Sequence, residues 1–132
     1  TKPVHELIHS KVVHFLKLDC EGCEAQAIET MAPLLERGDI KVILAEWITT
    51  RIRKVSGAES IPAVVDLLTK TGYQLYGYDG QPLSMSFISD LKTEVGDLFI
   101  VHKSVAKFTE LINGNGGVLE TWQELKQCHD SQ

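Results

Sequence analysis

Two apolar runs bracket an amphipathic stretch near the start of the chain, and this alternation limits the fold more than any other feature. Val12-Val13-His14-Phe15-Leu16-Lys17-Leu18 is β-rich and apolar and stops at Asp19, which reads as a largely buried strand. Over residues 24–31, Ala25, Ala27, Ile28 and Met31 set an apolar stripe at helical spacing. Pro33 breaks that helix, and a short second one is expected over residues 33–37, closed by Gly38. Ile40-Lys41-Val42-Ile43-Leu44-Ala45-Glu46-Trp47 is the next strand. Apolar strands separated by helices imply right-handed crossovers and a parallel sheet.

Ser60 reads as an N-cap with Pro62 in the first turn, and Ile61, Val64, Val65 and Leu68 form the buried stripe of a helix that Gly72 ends. Tyr73-Gln74-Leu75-Tyr76-Gly77-Tyr78 follows as a strand, and Asp79-Gly80 turns the chain. Residues 81–94 read as polar loop with a helical turn over 88–92, and Asp97-Leu98-Phe99-Ile100-Val101-His102 as the last strand. Helices are expected over 105–112 and from Leu119 to about Cys128. The closing strands are joined without a clear helix, so one of them should run antiparallel, at or near the edge of the sheet.

A chain of 132 residues is one domain's worth. It carries 13 basic and 18 acidic residues, a formal net charge of −5, which argues against a general nucleic-acid surface. Its only basic cluster, Arg51-Ile52-Arg53-Lys54, reads as solvated loop. No apolar run approaches the about 20 residues that cross a bilayer, and the first ten residues do not resemble a signal peptide. The chain starts at Thr1, so further sequence upstream is expected. Three cysteines do not make a disulfide framework, which favours a reducing compartment.

The chemistry concentrates in Asp19-Cys20-Glu21-Gly22-Cys23-Glu24. Ligands of open α/β sheets gather beyond the carboxyl ends of the strands, where Asp19 stands. Gly22 allows a sharp turn into the helix, and Glu24 suits a first helical turn, where the macrodipole favours negative charge. Asp19 and Glu21, one residue apart, can converge on a cation, a hydroxyl or an ammonium group. Three surrounding acids oppose a thiolate, so a redox role for Cys20 and Cys23 is disfavoured. A zinc site would have to recruit Cys128 and His129, an adjacent rather than spaced pair. Small residues packing the turn remain the favoured reading of the two cysteines.

The stretch from Phe15 to Glu24 resembles the Lys-x-Asp-x-Glu-Gly-x-Glu signature of the FkbM family of S-adenosylmethionine-dependent methyltransferases, with Lys17, Asp19, Glu21, Gly22 and Glu24 all in place. The strand ending Glu46-Trp47, the Gly72-Tyr73 start of a strand and the late strand from Asp97 also fit that family. The resemblance covers residues 1 to about 103 and puts the cysteines at the variable positions of the signature. It implies a Rossmann-like α/β sheet of seven strands, of which this chain supplies the last four: a C-terminal half over 1–103, then a helical extension over 104–132.

That likeness also implies S-adenosylmethionine as cofactor, held only with an N-terminal half, since no glycine-rich loop opens a helix here; Gly114-Asn115-Gly116-Gly117 reads as a turn. The partners it implies are a small-molecule acceptor and either the missing half or another chain to cover an exposed sheet edge. Asp19 would orient or deprotonate the acceptor hydroxyl, Glu21 would assist or hold a cation, and Glu46 would line the same crevice, with no metal ligand assigned. The rival expectation is a catalytically inactive methyltransferase-like subunit of a larger assembly.

Overall fold

A computed structural model describes residues 12–90 and 94–105. Its elements run β1 (Leu16–Leu18), α1 (Glu24–Thr30), α2 (Ala32–Glu36), β2 (Val42–Trp47), α3 (Thr49–Val55), α4 (Ser60–Thr71), β3 (Tyr73–Gly77), β4 (Pro82–Leu83), α5 (Ser86–Ser89) and β5 (Gly96–His102). The strands form one mixed sheet in the order β1-β2-β5-β3-β4. β1 and β2 pair in parallel, and β5 pairs antiparallel with both β2 and β3.

β4, at the sheet's edge, pairs antiparallel with β3, whereas β5, the antiparallel member of the expected closing pair, lies in the middle of the sheet. Its burial explains the placement: Leu98, Phe99, Ile100 and Val101 are all buried, and such a run needs cover on both faces. Leu98 and Ile100 join the large cluster, into which the helices insert Ile28, Leu35, Ile52, Leu68 and Ile88. Phe99 and Val101 join Val42 and Leu44 in a smaller cluster on the other face, with Phe15, Tyr76 and Tyr78 packed against it.

Other expectations shift in detail. The first strand is shorter than residues 12–18, although Val13 still bridges to Ile40 in parallel. A fifth strand, β4, adds two residues to the four expected. The basic cluster is helical rather than loop: it forms most of α3, where Arg53 and Lys54 complement the carboxyl end of the helix dipole. With Ile52 as its one buried apolar side chain, α3 shows no periodic stripe to read. Ser60 does not cap its helix. Glu59 holds the cap position, and the Ser60 hydroxyl donates to the Ser56 carbonyl at 2.8 Å. Gly72 closes α4 in the left-handed region, φ +82°. The polar loop winds one helical turn at Ser86–Ser89, earlier than 88–92. The helices expected beyond residue 105 lie outside the described residues. Among the described residues no helix is long and apolar enough to cross a membrane.

Tyr73 ties the start of β3 to the segment that leads into β2. Its hydroxyl donates to the Ile40 carbonyl at 2.6 Å, and its ring meets His102 edge-on at 5.0 Å. Burial, with a smaller contribution from Asp39, holds the phenol well above its usual range, so it stays a donor. Tyr73→Phe removes that donor from a buried carbonyl and should cost about 1–2 kcal/mol, read as a lower urea midpoint at unchanged slope.

His102 carries a pH signature. Partial burial, then the charges of Lys41 and Lys103, lower its pKa from the usual 6.5. The neutral ring accepts the Ser104 backbone N–H at Nδ1, 3.2 Å away. The unfolded chain binds this proton more readily, so the contribution is complete above about pH 6.5 and falls as the pH drops below it. His102→Gln should flatten that part of a stability–pH profile measured by chemical denaturation.

Candidate functional site

Two registers converge on one end of the sheet. Lys17 pairs with Leu44 and Leu18 with Ala45 in the parallel β1–β2 ladder, which carries Asp19 alongside Glu46. In the antiparallel β2–β5 ladder Glu46 pairs with Asp97. Strand alternation sends Lys17, Asp19, Leu44, Glu46 and Asp97 to a common face. There, with Leu18, they line a cavity of about 110 Å³. Arg51, from α3, donates to Glu46 Oε1 at 3.1 Å. Both partners are partly exposed, so this pair orients the Glu46 carboxylate rather than adding much stability. Three carboxylates and two cations at the carboxyl ends of β1 and β2 can align a hydroxyl group and accept its proton.

The turn leaving β1 is built differently from its mouth. Glu21 stands at φ +53° and Gly22 at φ +111°. Glu24 is buried, 1% exposed, and both of its carboxylate oxygens accept the Gly22 N–H at 3.1 Å. Ser56, just past α3, donates to the Gly22 carbonyl at 2.6 Å and accepts the Gln26 N–H at 3.3 Å. A Cβ on Gly22 would stand 2.7 Å from Val55 Cγ2 and 2.8 Å from the Arg51 carbonyl. The corner is thus packed shut under α3 on its glycine side and open at Asp19, which is exposed.

The expected site residues separate accordingly. Asp19 and Glu46 share the cavity; Glu21 is exposed and does not line it. Its one-residue offset from Asp19 is broken by the left-handed backbone between strand and helix. Asp97 does line the cavity and was not among the expected residues. The signal was an acid opening the last strand, readable only once β5 is known to lie against β2. Ile88 is core, and its carbonyl accepts the Trp47 indole N–H at 3.1 Å; none of the described residues of the 81–94 loop lines this cavity.

The sulfurs also differ from expectation. Cys20 and Cys23 are joined by a disulfide, with Cα atoms 5.4 Å apart, and both are half-buried rather than free packing residues. The preference for a reducing compartment rested on free cysteines and loses that support. Together with Glu24 they form a group of potential metal ligands whose donor atoms lie within 4.8 Å of one another. Cys128 and His129, the other half of the zinc expectation, lie outside the described residues.

Gly22→Ala should destabilise the chain by about 2–4 kcal/mol, from a left-handed backbone combined with overpacking against α3. Thermal or urea unfolding of the full chain measures this; an unchanged midpoint would mean that α3 does not hold the corner.

The sequence model of the methyltransferase FkbM domain matches residues 4–75, more than half of the 132-residue chain. No curated protein and no solved structure matches it. The matched span takes in β1, Asp19, the closed corner, β2 and α4, and it ends within β3, before Asp97. With the signature residues of that span gathered on one strand-end turn, the chain belongs to the FkbM methyltransferase family.

Proposed function

We propose that this chain supplies the acceptor-side, C-terminal half of a Rossmann-like methyltransferase sheet, and that the complete enzyme methylates a hydroxyl oxygen of a sugar or another small molecule. The supporting observation is the cavity beyond the carboxyl ends of β1 and β2, walled by Asp19, Glu46, Asp97 and Lys17. Asp19, exposed at its mouth, accepts the proton of the acceptor hydroxyl as the oxygen becomes nucleophilic. Glu46, oriented by Arg51, holds the acceptor, and Glu21 adds negative charge from outside the cavity wall. Proton removal by a positioned carboxylate contributes roughly 10²- to 10⁴-fold to rate.

The described residues do not by themselves fit S-adenosylmethionine. A cavity of about 110 Å³ falls well below the roughly 300–1,000 Å³ of ordinary ligand pockets. Among the described residues no glycine-rich loop opens a helix after a strand; Gly22 is the sole glycine of the β1–α1 turn and is closed off by α3. The methyl donor would be bound by a further half of the domain, upstream in the same protein or on another chain.

Calorimetry with S-adenosylmethionine on the complete protein tests this reading, together with transfer of labelled methyl groups to a panel of sugar and small-molecule hydroxyls. Asp19→Asn should lower turnover by roughly 10²- to 10⁴-fold while the Kd for S-adenosylmethionine stays near its original value. Weakened cofactor binding at unchanged turnover would contradict the role of Asp19. A complete protein that binds no S-adenosylmethionine would instead be the inactive structural subunit.

A further inference from the structure

We propose that Cys20, Cys23 and Glu24 form a redox-gated site for a soft divalent cation of the zinc type, closed while the disulfide stands and opened by its reduction. The inference rests on the geometry of the closed corner and is independent of the methyltransferase reading.

The three donor atoms already lie within 4.8 Å of one another. Ligands of a tetrahedral zinc ion stand about 3.5 Å apart, given metal–ligand bonds of about 2.0–2.3 Å. Cys20 Sγ is 3.1 Å from Glu24 Oε2. While bonded to Cys23, that sulfur has no proton to donate, so the buried carboxylate faces it without a hydrogen bond and relies on the Gly22 N–H. A buried anion in this position gains from any donor or cation placed beside it. Reduction supplies both possibilities: a thiol that donates to Glu24, or two thiolates that complete a three-ligand anionic set.

The backbone that carries these ligands has supports besides the disulfide. Ser56 binds the Gly22 carbonyl, and α3 packs against the glycine face. Those contacts would hold the corner when the sulfurs part, which would lower the entropic cost of binding an ion. Asp19 and Glu21 flank the pair with negative charge, which disfavours free thiolates but favours a cation that compensates them. Cys20 and Cys23 are only half-buried, within reach of a reductant and an ion.

The chemistry balances as follows. A dithiol reductant delivers two electrons and two protons to the Cys20–Cys23 bond and is itself oxidised to a disulfide. The cation then displaces the two thiol protons to solvent, Glu24 contributes one oxygen, and water takes the fourth position of the tetrahedron.

The test uses the full chain, reduced with dithiothreitol, freed of reductant by gel filtration under nitrogen and titrated with Co²⁺ and then Zn²⁺. One equivalent of Co²⁺ should bind with sulfur-to-metal charge transfer and tetrahedral visible bands, and Zn²⁺ should bleach both. Air-oxidised protein should take up none, Cys23→Ser should abolish the bands, and Glu24→Gln should weaken binding at least about tenfold. Cys128→Ser should leave them intact. Reduced protein that binds no Co²⁺, binding that survives oxidation or Cys23→Ser, or binding lost in Cys128→Ser would each overturn the proposal. None of these results bears on methyl transfer, so either reading can fail alone.

Discussion

β2 and β3 do not pair with each other; the sheet is continuous because β5 runs between them in the opposite direction and bonds to both. Four consecutive residues of β5 are buried, alternately on the helix-covered face and on the smaller cluster opposite. A strand that apolar cannot serve as a solvated edge without exposing both rows of side chains. Its reversed direction matters for the site, because an antiparallel strand brings its beginning, Asp97, to the end where β2 finishes with Glu46. A parallel strand in that slot would have offered its carboxyl end instead.

A second constraint governs the turn after β1. Glu24 is sequestered to accept the Gly22 N–H, and α3 closes over the glycine through Ser56, Val55 and the Arg51 carbonyl. The same helix projects Arg51 to Glu46 in the cavity. One short helix thus braces the corner from one side and orients a carboxylate on the other. The disulfide is set into this braced loop, next to Asp19, which lines the cavity.

β1, β2, β3 and β5 and the amphipathic α1 and α4 were legible because they bury apolar runs or periodic apolar sets, as Ile61, Val64 and Leu68 do, whereas the two residues of β4 bury neither. α3 was not, because a basic heptad with one buried isoleucine has no period to detect. Asp19 was legible as a strand-end acid, and Glu46 as its neighbour. Glu21 stands outside the cavity although it is two positions from Asp19, because its left-handed backbone turns the chain away from the strand direction. Asp97 could not be linked to the others while strand order was unknown, and the sulfur–sulfur bond could not be inferred without the distance between the two residues.

The sequence by itself determined the alternation of strand and helix, the glycine that lets β1 turn, and the family, since each is written in local periodicity or in a contiguous signature. Only the tertiary structure decided the order of strands, the closing of the corner under α3 and which acids share a cavity. Those depend on contacts between residues dozens of positions apart, such as Gly22 with Ser56 or Glu46 with Asp97. Such contacts are selected by the joint burial of whole faces, a free energy that no single segment carries.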